Sequence, residues 1–202
     1  MTALMSNVTL VVLAGGAGSR MGGPKSRIAL EGQFALVRLM ERLVWTGPTI
    51  LVTAPSDPLP PGAELFADKI SDAVEGNGPL QGMFAALEQA STELQVFVPI
   101  DMPNLTRDIL GELIDAFMPD ASLRGLMCER TVAGKLVVEP FPCLLHQTMR
   151  EKVAMRLAKG LRSLQGLVRA DECGLYRANH WPMRAWTNLN TPDDLRGFQA
   201  QT

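Results

Sequence analysis

An apolar, β-branched run from Val8 to Leu13 limits what this chain can fold into more than any other feature. A strand with one wet face alternates polar and apolar residues. A strand buried on both faces does not, and such strands belong to parallel sheets covered by helices on both sides. The run follows Ser6-Asn7 and stops at Gly15-Gly16. Five glycines then fall within the nine positions from Gly15 to Gly23, with Arg20 and Lys25 as the nearby strong charges. Glycine lacks the Cβ that would hold a ligand away, so backbone N–H groups can close on an anion. Two cations beside such a cradle point to a phosphate chain, which a plain surface turn would not require.

Spacing excludes two common phosphate loops. The P-loop requires Gly-Lys-[Ser/Thr], but Pro24 separates Gly23 from Lys25. The dinucleotide fingerprint requires Gly-x-Gly-x-x-Gly, but counting from Gly16 and Gly18 the third position is Met21.

The first half continues as alternating strands and helices. Phe34 to Trp45 has apolar residues at helical spacing, with Arg38, Glu41 and Arg42 on another side, and Gly47-Pro48 ends it. Thr49 to Thr53 reads as a second buried strand, and Asp68 to Ser71 as a short one ending at Asp72. Pro79 suits the first turn of a helix continuing as LQGMFAALEQA. Gln95 to Ile100 is a third buried strand, closed by Asp101-Met102-Pro103. Thr106 caps a helix to about Phe117, before Pro119. This alternation predicts an α/β fold: a Rossmann-like, doubly wound, mostly parallel sheet. Ligands of such sheets lie outside the carboxyl ends of the strands. The glycine-rich loop, the stretch from Asp72 to Gly82 and the Asp101 turn should therefore converge.

The second half reads as an antiparallel excursion. Leu123 to Glu129 and Lys135 to Glu139 form a pair, and Pro140-Phe141-Pro142 a stiff turn. Leu144 to Lys159 is a helix ended by Gly160, followed by a helical turn or two over Ser163 to Val168. Leu175 to Trp186 is a weak, polar strand region, and Pro192 starts a last short helix. With no repeat, low-complexity stretch or linker, residues 1–202 are read as one domain.

Composition removes several functions. A formal charge of −2 gives no electrostatic case for nucleic acid or a membrane surface. No apolar run nears the roughly 20 residues of a membrane span, and MTALMSN lacks the basic start of a signal peptide. Cys128, Cys143 and Cys173 are widely spaced and odd in number, which suits reduced thiols in a cytoplasmic protein. The Asn7-Val8-Thr9 sequon opens the buried run and is discounted. His146 and His180 have no partner at ligand spacing, and the basic run Arg150 to Arg169 reads chiefly as a solvated helix face.

The pattern LAGGAGSRMGGPK resembles the signature loop of nucleotidyltransferases that activate sugars and cofactors, most closely the molybdenum cofactor guanylyltransferase branch. GPLQGMFAAL resembles the family's Gly-Pro-Leu-x-Gly helix start, and VPIDMP its metal-binding Asp-x-Pro turn. EPFPCLL resembles a Pro-Leu-Pro segment with Phe141 in place of leucine, and GLRSLQGLV an Arg-Ser-Leu helix start. WTNLNTPDDL resembles an Asn-x-Asn-Thr-Pro motif. The motifs span residues 8 to 197 in consistent order.

The resemblance implies a Mg2+-dependent transfer of GMP from GTP to the phosphate of molybdopterin, with pyrophosphate leaving. Residues 1–120 would form a nucleotide-binding half and 121–202 an acceptor-binding half. Leu13, Ala14, Gly15, Gly16, Gly18, Lys25, Thr53, Asp72, Gly78, Gly82 and Asp101 would line the nucleotide, and Arg162, Asn188 and Asn190 the acceptor. Lys25, Arg20 and Asp101 would carry the chemistry, with Asp101 as the metal ligand. Gly78 and Gly82 have an alternative role in helix entry and close packing. Asn188 and Asn190 alternate, so on a strand they would face the same side. Thr53 stands where the guanylyl branch commonly has an asparagine, which keeps CTP and other nucleotides open, as well as a sugar-phosphate acceptor. A nucleotide-binding regulatory module is the non-enzymatic alternative.

Overall fold

The computed structural model describes residues 5–15, 29–55, 57–71, 78–118, 120, 122–168 and 173–199. Its first strand, β1 (Val8–Leu13), is buried at every position, as a run without polar alternation requires. Leu10 and Val12 point into one hydrophobic cluster, Val11 and Leu13 into another. Thr9, the one polar residue in the strand, is fully buried. Its backbone N–H donates to Thr92 Oγ1 at 3.0 Å and its hydroxyl lies 2.7 Å from the same atom.

A short antiparallel pair follows, β2 (Ala29–Leu30) with β3 (Gln33–Phe34). Helix α1 (Ala35–Leu43) buries Leu36, Leu39 and Leu43, and Val44 closes it in the left-handed region at φ 43°. Then come β4 (Thr49–Thr53), β5 (Asp68–Ser71), α2 (Pro79–Gln89), β6 (Leu94–Pro99) and α3 (Arg107–Phe117). Pro79 stands in the first turn of α2, and the Thr106 side chain caps α3 by accepting from Ile109 N. The second half supplies β7 (Gly125–Val132), β8 (Lys135–His146), α4 (Met149–Ala158), α5 (Gln165–Val168), β9 (Cys173–Arg177) and α6 (Pro192–Gln199).

One seven-stranded sheet runs in the order β5-β4-β1-β6-β8-β7-β9. Strands β5, β4, β1 and β6 are mutually parallel, β8 is antiparallel to both β6 and β7, and β9 is parallel to β7. Helices α1 and α3 cover one face, and α2 and α4 the other. The chain moves outward from β1 to β4 and β5, then returns to β6 on the other side of β1. That reversal makes the carboxyl end of β1 a topological switch point, where two loops diverge and leave a crevice.

The second half departs from the sequence reading in three places. Pro140-Phe141-Pro142 is not a turn: β8 runs straight through it. The prolines sit where the ladder with β7 is irregular, between the pairs Leu126–Leu144 and Cys128–Glu139. A residue without an N–H is tolerated there because no regular ladder bond is lost. The expected helix from Leu144 begins only at Met149, because Leu144 to His146 pair with Leu94 to Val96. The expected strand from Leu175 to Trp186 divides into edge strand β9 and a 3-10 turn at Met183–Trp186.

Candidate functional site

The carboxyl ends of four parallel strands form the floor of the site. Leu13 of β1 lies level with Val52 of β4 and Pro99 of β6, and Thr53 with Ser71 of β5. The floor is knit past the strand ends. Ala14 N–H donates to Val52 O at 2.8 Å, and Ile100 N–H to Leu13 O at 3.0 Å. A Cβ on Gly15 would stand 3.0 Å from Ala54 N and 3.3 Å from the Thr53 carbonyl carbon, so any larger residue would push the β1 and β4 backbones apart by a few tenths of an ångström. Leu13, Ala14, Gly15 and Thr53 thus come together, with Thr53 buried beside the glycine turn.

Gly78 enters α2 at φ 72°, a backbone conformation that favours glycine, and it is exposed. Gly82 is buried one turn later. A Cβ there would meet Val52 Cγ1 at 3.0 Å and Leu13 Cδ2 at 3.5 Å. Close packing of α2 on β1 and β4 is one role of Gly82, and helix entry one role of Gly78. Gly16, Gly18, Arg20, Lys25 and Asp72 lie outside the described residues.

Asp101 follows β6 in a tight turn, with Met102 N–H donating to Pro99 O, and it is 8% exposed. Its carbonyl accepts from Leu189 N–H at 2.9 Å. This contact brings the Asn188–Asn190 segment to the candidate metal residue. Asn188 and Asn190 are not on a strand. They flank Leu189, which is fully buried with Leu30, Ala35 and Phe198. Just beyond, Asp194 Oδ2 accepts from the N–H of Asn190 and Thr191, and Thr191 Oγ1 accepts from Asp194 N–H. That reciprocal cap fixes the entry to α6. Arg162 is exposed on the turn between α4 and α5, on the sheet face opposite this segment.

Sequence reasoning missed a second set of contacts. Beyond the sheet edge, Arg130 of β7 pairs with Glu139 of β8 at 2.7 Å and lies 5.0 Å over the Trp186 ring. Trp186 stacks on Trp181 at 5.2 Å, and Trp181 Nε1–H donates to Glu112 Oε2 of α3 at 2.8 Å. His180 Nε2 lies 2.9 Å from the same oxygen, and Tyr176 Oη–H donates to it at 3.3 Å. Burial raises the Glu112 pKa, but the hydrogen bonds from His180 and Trp181 outweigh it and hold the carboxyl below its ordinary value. The available signal was Trp181, since a buried indole N–H requires an acceptor; its acceptor lies 69 residues away, at a separation no local pattern reveals.

No group of three or more His, Cys, Asp or Glu able to hold a metal occurs among the described residues. Asp101, a buried carboxylate at the carboxyl end of a parallel strand, fits Mg2+, which takes one or two carboxylates and leaves other positions to water and phosphate oxygens. The three cysteines are buried. Burial, and then the Glu139 charge, pushes the Cys128 thiol far up, and burial does the same to Cys143, which leaves neither a ready nucleophile.

The MobA-like NTP transferase domain matches residues 10–173. Molybdenum cofactor guanylyltransferase of Vibrio cholerae is 31% identical over 198 residues, which cover 96% of this chain and 93% of the relative. Molybdopterin-guanine dinucleotide biosynthesis protein A from Archaeoglobus fulgidus superposes with a TM-score of 0.78 at 22% identity, over 96% of this chain and 97% of that one. The 2-C-methyl-D-erythritol 4-phosphate cytidylyltransferase of Thermus thermophilus gives 0.72 at 18% identity, over 95% and 96%. At these identities the two solved structures speak to the fold alone.

Proposed function

The chain belongs to the MobA-like NTP transferase family and is a nucleotidyltransferase, and from that premise we propose that it transfers GMP from GTP to the phosphate of molybdopterin with Mg2+ as the metal. The observation that carries this reading is the meeting of the glycine turn, Thr53 and the Asp101 turn at one switch point, with the Asn188–Asn190 segment held on Asp101. The relative in V. cholerae bears the name of that reaction and spans nearly the whole chain.

An oxygen of the acceptor phosphate attacks the α-phosphorus of GTP, the bond from that phosphorus to the β-phosphate oxygen breaks, and pyrophosphate leaves. The nucleophile is already anionic, so the chain needs no catalytic base. The barrier lies in bringing two anions together and bearing the charge that builds on phosphoryl oxygens. In this reading Lys25 would serve the α-phosphate and Arg20 the leaving β- and γ-phosphates. The amides of Gly15 to Gly18 would hold the remaining oxygens. Asp101 would hold the Mg2+, which would supply positive charge against the negative charge of the phosphates. Thr53, Gly78 and Gly82 would serve the base, Asp72 the nucleotide, and Asn188, Asn190 and Arg162 the acceptor.

Thr53 supports a second reading, in which the transferred group is CMP. A nucleotidyltransferase fold serves both bases, and a hydroxyl is not the asparagine expected beside guanine. Incubation with GTP, CTP or ATP, each with molybdopterin or a sugar phosphate as acceptor, separates the readings by pyrophosphate release. GTP with molybdopterin should turn over fastest. Preference for CTP reassigns the base, and binding without release from any nucleotide leaves a regulatory module.

A further inference from the structure

Glu112 lies on α3, less than two turns beyond the Thr106 cap, and its side chain is directed to the 176–189 stretch rather than to the Asp101 turn. A single one of its oxygens gathers Trp181 Nε1–H, His180 Nε2 and Tyr176 Oη–H. All three belong to the stretch 176–189, which crosses the α1/α3 side of the sheet as a strap. From Trp181 onward the strap has little slack. Ala185 N–H donates to Pro182 O, Thr187 N–H to Arg184 O, and Leu189 N–H to Asp101 O. Trp181 is 4% exposed and stacks on Trp186, so the anchor is packed directly against the last turn. At its far end Leu189 is buried against Leu30, in the short strand that follows the glycine-rich loop. The strap therefore touches both the Asp101 turn and the return of the phosphate loop.

We propose that Glu112 is a positioning residue for the metal site: its carboxylate anchors the 176–189 strap, whose Leu189 amide holds the Asp101 turn in place. The proposal rests on the reading that Asp101 takes the divalent metal. A residue that only stabilises the fold would raise local and global opening together. A positioning residue acts at Leu189 and at the metal while the central strands stay closed.

Two readouts on the full chain test it: amide hydrogen exchange, and Mn2+ affinity in the presence of GTP measured by electron paramagnetic resonance. Glu112→Ala should speed exchange at Leu189 while Val96 and Val98 of β6 keep their protection. It should also weaken Mn2+, by less than the roughly tenfold at which loss of a direct outer-shell partner begins. Glu112→Gln keeps a side-chain oxygen to accept from Trp181 and should restore most of both. If Glu112→Ala does not fold, Trp181→Phe removes the main donor while keeping an aromatic ring, and should move both readouts the same way. Asp101→Ala is the reference. If it weakens Mn2+ and a folded Glu112→Ala does not, the positioning claim fails. If it leaves Mn2+ unchanged, the metal reading fails and carries the claim with it. Loss of protection at Val96 and Val98 together with Leu189 makes Glu112 an ordinary stability residue and overturns the claim.

Discussion

At Gly82 a methyl group would stand 3.0 Å from Val52 Cγ1, a side chain enclosed between β1, β4 and α2. Gly82→Ala should therefore cost about 1–3 kcal/mol, the usual penalty for overpacking a core. A urea titration checks this, and unchanged stability would return Gly82 to the ligand. Asp101→Ala should cut turnover by about 10²–10³-fold, the scale of removing one preorganised electrostatic contact, as measured by pyrophosphate release. Undiminished turnover would remove Asp101 from the chemistry. Lys25→Ala should lower kcat more than it raises the KM for GTP, because its charge is needed where negative charge grows. A change confined to KM would make Lys25 a binding residue only. At this scale the sequence was readable wherever one residue type has one physical use. Glycine after a buried strand and aspartate closing another were such positions. Leu189 was not, because it acts through its backbone, and an amide on Asp101 leaves no mark on residue identity.

Among the elements, the strap from Tyr176 to Leu189 and strand β8 show what sequence patterns miss. The first-half strands were legible because burial on both faces makes each a run of apolar residues. Strand β8 was split in the reading because two prolines usually stop a strand; here they fall where its ladder with β7 is irregular. The strap has no periodicity, and its fastening to Glu112 is a long-range side-chain contact. That fastening has a pH signature. The Glu112 pKa is lower folded than unfolded, so its stabilisation is fully present above the ordinary carboxylate value of 4.5 and is lost as pH falls through the folded value. The stability gap between the wild-type chain and Glu112→Gln, small because the carboxylate is nearly half exposed, should therefore be largest at neutral pH and shrink below about pH 4.5. Denaturant midpoints measured across that range check it, and a gap that does not change with pH would mean the carboxylate's charge is irrelevant to the strap.

For the whole molecule, the strand order places the glycine turn at the reversal between β4 and β6, and this organises the rest. The first half was readable as a doubly wound sheet from its alternation of strands and helices. The position of β8 between β6 and β7 was not, because strand order across a sheet is set by packing rather than by local pattern. Elements flank the switch point on both faces of the sheet: α2 on one, and the strap with Asn188 and Asn190, held on Asp101, on the other. A transfer site needs both, one for the nucleotide to leave its pyrophosphate and one for the acceptor to approach in line. The most direct measurement follows label from GTP into molybdopterin with the purified chain and Mg2+. With GTP labelled at the α-phosphate the label should appear in the pterin product, and with GTP labelled at the γ-phosphate it should appear only in released pyrophosphate. Label from the γ-phosphate in the pterin, or none from the α-phosphate, would contradict guanylyl transfer at this site.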